Sequence, residues 1–291
     1  MILGALETGG TKMVAAIGNE KGEIFERISI PTETPAVTLP KCVEFFQNKG
    51  IEGLGIAAFG PVDLNQDSPT YGYITTTPKL AWTNTDLVGA FKGLNVPIGF
   101  DTDVNGACLG EATYGCMQHM DNCVYITVGT GLGVGIMVGG KLLHGMLHPE
   151  AGHMIMVRHP DDQDFICNCP YHDSCMEGLA AGPAIGKRWG KPAVQLADND
   201  KVWEIEAYYL AQGIVNLILT VSPRRIVVGG GVMHQKQLMP LVRRNVTELL
   251  NGYIKTKELA DIDSYLMLPS LNDNQGVCGC LKLAVNAVEG K

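Results

Sequence analysis

No apolar run in this sequence approaches the roughly 20 residues a helix needs to span a bilayer, so a membrane-embedded chain is not expected. The first eight residues carry no basic leader and no small-residue cleavage site, which argues against export. Positive charge is scarce: 22 Lys and Arg face 30 Asp and Glu, and the formal net charge is −8. General nucleic-acid binding, which relies on a basic surface to displace counterions, is therefore disfavoured. The acidic residues are spread along the chain rather than gathered in a tail, and no low-complexity linker interrupts it. Cys42, Cys108, Cys116, Cys123, Cys278 and Cys280 form no small-domain disulfide framework. These absences leave a cytoplasmic protein with reduced thiols and with neither nucleic acid nor membrane as partner. A phosphorylated ligand stays open, because backbone N–H groups can hold phosphate without net positive charge.

Glycine is abundant, with 36 residues concentrated in a few turns. At 291 residues the chain can bury a large core and is expected to divide into two lobes. Ile2–Leu6 and Met13–Ile17 are short apolar runs joined by Glu7-Thr8-Gly9-Gly10-Thr11-Lys12, and Glu23–Ile30 follows as a third. Apolar spacing predicts a helix over 36–48. Gly53–Phe59 reads as a strand leading into Gly60-Pro61-Val62-Asp63. Pro97–Phe100 reads as another, delivering Asp101-Thr102-Asp103-Val104-Asn105 ahead of a helix to Tyr114. From Asn122 the pattern begins again. Cys123–Val128, the turn Gly129-Thr130-Gly131-Leu132-Gly133, and Val134–Val138 repeat the opening unit in topology though not in identity. A long helix over 202–221, a strand at Arg225–Val228 running into Gly229-Gly230-Gly231, and helices near 235–251 and 276–288 complete the chain. Hairpins alternating with helices indicate an α/β protein on mixed sheets. The expected division is a first lobe over 1–115, completed by the C-terminal helix 276–291, and a second over 116–275, with a cleft between them.

A glycine between strands can adopt φ > 0 and brings no side chain, so consecutive N–H groups can point at one anion. Gly9, Gly10, Thr11 and Lys12 offer such a nest plus a hydroxyl and an ammonium; Gly129, Thr130 and Gly131 offer a second. With Gly230 and Gly231 after a third strand, they suggest a nucleotide whose phosphates meet the first two turns and whose base lies near the third. Asp103, just past a strand end, is placed to accept a proton from a hydroxyl during group transfer. It is equally placed to cap the following helix. Cys169, His172 and Cys175 recur at three-residue steps, so one tight loop can present three donors to one Zn²⁺, and His153 can close the tetrahedron. Glu150 and Glu177 flank that loop as candidate acceptors for sugar hydroxyls.

Taken together, Glu7-Thr8-Gly9-Gly10-Thr11-Lys12, Thr102-Asp103-Val104-Asn105-Gly106, Thr127-Val128-Gly129-Thr130-Gly131, Glu150-Ala151-Gly152-His153 and the Cys/His loop ending in Glu177 resemble the sugar kinases of the ROK family. The match runs in order over almost the whole chain and is most similar to the bacterial fructokinase branch. The resemblance implies an actin/hexokinase-like (ribonuclease H-like) α/β fold of two lobes, ATP with Mg²⁺ in the cleft, and a homodimer. It implies phosphorylation of a hexose, with D-fructose to fructose 6-phosphate expected first and mannose or glucose as alternatives. Asp103 maps onto the family's base, while Gly60, Asn105, Glu150, His153 and Glu177 are assigned to the sugar.

The chain also departs from the family pattern. Glu7 stands where many relatives have Asp, which leaves direct or water-mediated Mg²⁺ contact open. Thr102 replaces the asparagine that precedes the base in typical glucokinases of the family. The Cys/His loop is one residue longer than the common Cys-x-Cys-Gly-x-x-Gly-Cys, with His172 inserted. Zinc ligation by His153, Cys169, His172 and Cys175 follows, with Cys167 in place of His172 as the alternative. The family also contains sugar-responsive repressors that carry a helix-turn-helix ahead of the first glycine turn. Here that turn begins at Glu7, and an enzyme is expected rather than a regulator or a zinc-knuckle nucleic-acid module.

Overall fold

Leu3–Thr8 (β1), Lys12–Gly18 (β2) and Ile24–Pro31 (β3) form an antiparallel meander, from which a parallel extension grows: β1 pairs with Gly53–Ala58 (β4). A small hairpin of Tyr73–Ile74 (β5) and Thr85–Asp86 (β6) precedes Ile98–Thr102 (β7), which pairs in parallel with β4. The order is β3-β2-β1-β4-β7. The computed structural model describes residues 1–291 and divides into two units. This first unit comprises Met1–His119, Leu142–Pro149 and Pro269–Lys291.

Strand periodicity assigns its two cores. Leu6, Met13, Ala15 and Ile17 face a cluster with Phe46, Trp82, Phe91 and Phe100, beneath the helix Pro35–Phe46 (α1). Leu3, Ala5, Val14 and Ala16 alternate to the other face and meet Val277, Cys280, Leu281 and Ala284 of the C-terminal helix Gln275–Val288. That helix lies backbone to backbone on its neighbours. A Cβ on Gly55 of β4 would overlap the Cys280 carbonyl, and one on Gly279 would overlap Gly106 of the helix Asp103–Tyr114 (α2). Glycine here permits close approach rather than an unusual dihedral.

α2 is buried from Asn105 to Glu111. Glu111 is fully buried, and its carboxylate gathers the loop that leads into the C-terminal helix. Oε1 accepts from the backbone N–H of Ser270 at 2.7 Å and of Leu271 at 3.3 Å; Oε2 accepts from the Ser270 hydroxyl at 2.7 Å and from the Cys116 N–H at 2.9 Å.

The second unit, Met120–Lys141 and Glu150–Leu268, repeats the architecture. Its elements are Cys123–Val128 (β8), Leu132–Val138 (β9), Lys141–Leu142 (β10), Met176–Ala180 (α3), Gly182–Trp189 (α4), Asp200–Val221 (α5), Ile226–Gly229 (β11), Leu238–Leu250 (α6), Lys257–Ala260 (α7), Ile262–Tyr265 (α8) and Leu266–Met267 (β12). The sheet order is β10-β9-β8-β11-β12. Counted from the first strand of each sheet, both orders read 3-2-1-4-5, which is the duplication inferred from the glycine turns. Its core surrounds α5, with Trp203 and Tyr209 fully buried. No helix is long and apolar enough to cross a membrane.

The sequence missed the two-residue β12 and the short α3 and α4, which offer too few residues for a periodic signal. It also left Leu142–Pro149 with the second lobe. That segment packs with the first unit through His144 and His148, contacts between residues some 40 or more positions apart in sequence.

Truncation of Glu111 removes the shared acceptor of several part-buried donors. Glu111→Ala is expected to lower stability by about 3 kcal/mol, read as a lower urea midpoint for the first unit. An unchanged midpoint would show that the carboxylate does not hold the C-terminal segment.

Candidate active site

In parallel sheets, functional side chains collect beyond the carboxyl ends of the strands. β4 runs out toward Gly60, and β7 delivers Asp101, Thr102 and Asp103. Thr102, in extended backbone, is the N-cap of α2: its hydroxyl accepts from Asn105 N–H at 3.2 Å. Asp103 is therefore the first helical residue and not the cap, and its Oδ1 accepts from the N–H of Val104 at 2.8 Å. The cap reading of Asp103 falls, because the threonine before it already performs that task.

Asp101 organises this end of the sheet. Its side chain is 5% exposed; Oδ1 accepts from Thr102 N–H and from Asn105 Nδ2, both at 2.7 Å, and Oδ2 lies 2.9 Å from His144 Nε2. The hydrogen bond that His144 makes to the Asp101 carboxylate raises its pKa, although partial burial opposes it. His148 behaves oppositely: burial lowers its pKa, and its Nε2 accepts from Val62 N–H at 3.2 Å. The His148 ring packs against Gly60.

The first glycine turn closes differently from the sequence expectation. Neither Gly9 nor Gly10 has positive φ, and the Gly9 N–H closes the hairpin on the Lys12 carbonyl at 3.0 Å. Thr11 and Lys12 lie exposed at its tip. The absence of a side chain matters for approach, because the Lys79 Cε would stand 3.0 Å from a Cβ on Gly10. Glu7, one residue before the end of β1, is half-buried; desolvation raises its pKa, with Arg27 and Lys12 opposing the rise and Asp273 adding to it.

In the second unit, Gly129 N–H bonds the Gly131 carbonyl at 2.8 Å, and Thr130 and Gly131 are exposed at the tip. Glu177 braces this turn: its Oε2 accepts from Leu132 N–H at 3.0 Å and would stand 2.9 Å from a Cβ on Gly131. Of the candidate turn glycines only Gly230 is left-handed, at φ 92°, and a Cβ there would collide with the Val128 backbone. Gly231 follows it with open space around its Cα.

His153, Cys169, His172 and Cys175 converge, with one donor atom from each within 4.8 Å of all the others. Cys169 Sγ is 3.4 Å from His172 Nδ1 and 3.9 Å from His153 Nδ1. Cys175 is the N-cap of α3, where its sulfur accepts from Gly178 N–H. Burial first, and then the neighbouring Cys169 and Cys167 thiols, push the Cys175 thiol up to about 12. Two thiols and two imidazoles this close together form a donor set suited to a soft divalent cation, whose charge would favour the thiolates. Cys167 is not in this group; it packs in the core, with its sulfur against Gly178. The second nitrogen of His153, Nε2, is 3.9 Å from Glu177 Oε1. Glu150, at the start of the turn carrying His153, has its pKa pushed up to about 7 by burial and then by the Glu177 charge.

Sequence reasoning passed over Asp101, His144, His148 and Lys79. The spacing of His144 and His148 ahead of Glu150 was visible, but nothing local indicated that they reach back to β7 and to the loop after β4.

The model of the ROK family matches residues 3–287. A putative fructokinase of Bacillus subtilis (strain 168) is 46% identical over 292 residues, covering 100% of this chain and 97% of that protein. A fructokinase of Pediococcus pentosaceus is 44% identical, covering 99% of each. Among solved structures, the ROK hexokinase of Thermus thermophilus superposes with a TM-score of 0.80 at 23% identity, covering 100% of both chains. A ROK family glucokinase of Streptomyces griseus, in complex with glucose and AMPPNP, gives 0.77 at 22% identity, covering 98% of this chain and 100% of that one. These likenesses show the fold, the actin-like two-unit α/β architecture of sugar kinases.

Proposed function

Because the chain belongs to the ROK family, we propose that it is an ATP-dependent hexose kinase that converts D-fructose to fructose 6-phosphate. The observation that carries this reading is full-length identity of 44–46% to fructokinases. ATP as donor is supported by the relative solved with AMPPNP, an ATP analogue.

Phosphoryl transfer to an alcohol asks the protein for position, a proton acceptor and compensation of phosphate charge. Asp103 takes the proton of the sugar's primary hydroxyl as the new P–O bond forms. Its place as first residue of α2 suits a carboxylate, since the helix N-terminus favours negative charge. Gly60, Asn105, Glu150, His153 and Glu177 bind the hexose. The tips of the turns at Gly9–Lys12 and Thr130–Gly131 bind phosphates, with Lys12 adding charge, and Gly230 and Gly231 receive the nucleotide base. Mg²⁺, when bound with ATP, neutralises phosphate charge. Desolvation raises the pKa of Glu7, and a cation bound nearby would act in the opposite direction and favour its carboxylate.

Zn²⁺ fits the His153, Cys169, His172, Cys175 set as a structural ion, because four protein ligands leave no open position. His153 would hold such an ion through Nδ1, which lies on the Cys169 side, leaving its Nε2 directed toward Glu177. A homodimer is supported by exposed Ile155, Val157, Ile166 and Tyr171 around the same loop. Nine free cysteines suit a reducing cytoplasm.

A sugar panel in a coupled ADP-release assay tests the activity. Fructose is expected to show the highest kcat/KM and mannose a lower one, since buried polar groups left unpaired by a wrong sugar carry a large cost. Glucose outperforming fructose would overturn the substrate, and ADP release with no sugar of the panel would favour the sugar-responsive regulator.

Structural zinc can contribute on the order of 10 kcal/mol to folding of the segment it organises. Metal analysis of purified protein is expected to find about one zinc per chain; chelation or Cys175→Ala should lower thermal stability and sugar affinity together. Protein without zinc that retains both would remove the ion from the account.

A further inference from the structure

The segment Leu142–Pro149 belongs to the first unit and carries two histidines that grip it at different points. His148 is buried and held against Gly60 and the Val62 N–H. His144 reaches the other end of the same edge, with Nε2 2.9 Å from Asp101 Oδ2 and 3.5 Å from Asn105 Nδ2. The segment thus straps the ends of β4 and β7, the edge from which Gly60, Asp103 and Asn105 are presented.

The hydrogen bonds fix how His144 can act. A buried carboxylate accepts, so Nε2 carries the proton that bonds Asp101. The ring is then locked in direction, and Nδ1 is the nitrogen left without a protein partner. The side chain is 41% exposed, so this free edge is open to a ligand. A second group at the same place is incomplete. Asn105 commits its amide nitrogen to Asp101, and its Oδ1 is buried with no hydrogen-bond partner. An oriented imidazole nitrogen and an orphaned amide oxygen suit hydroxyl groups, which both donate and accept.

We propose that His144 is a further sugar-contacting residue that sets hexose selectivity, with Nδ1 hydrogen-bonded to a substrate hydroxyl and Asp101 holding the ring as a positioning residue. This deepens the kinase reading and rests on it. A ring fixed by a buried carboxylate presents its nitrogen in one direction only, so it rewards one hydroxyl arrangement and leaves an epimer unmatched.

Steady-state kinetics on fructose and mannose, with thermal denaturation, should be measured for wild type, His144→Ala and His144→Gln. Glutamine can keep the bond to Asp101 but offers nothing at the Nδ1 position, so it separates ligand contact from strap anchoring if the alanine variant loses stability. Both variants are expected to lose about tenfold in kcat/KM for fructose, the upper range for loss of one hydrogen bond. The loss should fall mainly on KM, with a reduced fructose-to-mannose ratio and, for His144→Gln, an unchanged melting temperature. If wild type phosphorylates fructose and His144→Gln changes KM and the ratio by less than about twofold, as a neutral surface substitution would, the inference fails while the kinase reading stands. If wild type phosphorylates no sugar, both fail.

Discussion

The buried carboxylate of Asp101 is the contact on which the geometry at the end of β7 depends. A charge taken out of water must be compensated by hydrogen bonds, and here three donors converge on two oxygens. Thr102 N–H and Asn105 Nδ2 tie the end of β7 to the first turn of α2, while His144 ties in a strap from a distant part of the chain. The result is a fixed start for α2, capped by Thr102, and a fixed exit for Asp103. The backing is equally constrained: the C-terminal helix and α2 approach through glycines, and Glu111 anchors the loop that brings that helix back. Little freedom remains in the element that carries the proposed base.

The second unit reaches rigidity by another route. Its glycine turn is short and exposed, and Glu177 stiffens it from behind through Leu132 N–H. The same glutamate lies near His153 Nε2, whose Nδ1 belongs to the four-donor cluster. The four-donor cluster, a carboxylate and the glycine turn are thereby linked within a few side chains. If the cluster holds zinc as proposed, removing the ion would slacken all three, which is why stability and ligand affinity are expected to move together.

The frame of the fold was legible because its signals are local. Alternating apolar strands around Gly9-Gly10 and again around Gly129-Thr130-Gly131 announced a duplicated hairpin, and both sheets have the same strand order. The Cys/His loop was legible for the same reason, since three of its four donors sit at three-residue steps. What could not be read were long-range polar contacts. Asp101 was passed over as the residue before the motif, and His144 and His148 were not singled out, because only the strap brings them to β7 and the loop after β4. The glycine turns were located correctly but for partly the wrong reason. Gly9, Gly10, Gly129 and Gly131 do not have left-handed backbone; a Cβ on Gly9 would crowd the Lys12 carbonyl, Gly10 and Gly131 approach side-chain ends, Gly129 has open space, and Gly230 alone needs positive φ. Asp103 as a rival cap illustrates the limit of local reading, since Thr102 and Asp103 are both competent caps and only the backbone shows which one serves.

The central claim is that Asp103 accepts the proton of the sugar hydroxyl during transfer. Turnover of fructose by Asp103→Asn, compared with fructose binding by the same variant, tests it most directly. Asparagine keeps the size and leaves the Thr102 cap intact, but it cannot take a proton. The account predicts a loss of roughly 10²–10⁴ in kcat, the worth of a general base, with fructose affinity and melting temperature nearly unchanged. A variant that keeps more than about a tenth of wild-type kcat, or that loses activity only because it no longer binds fructose, would contradict it.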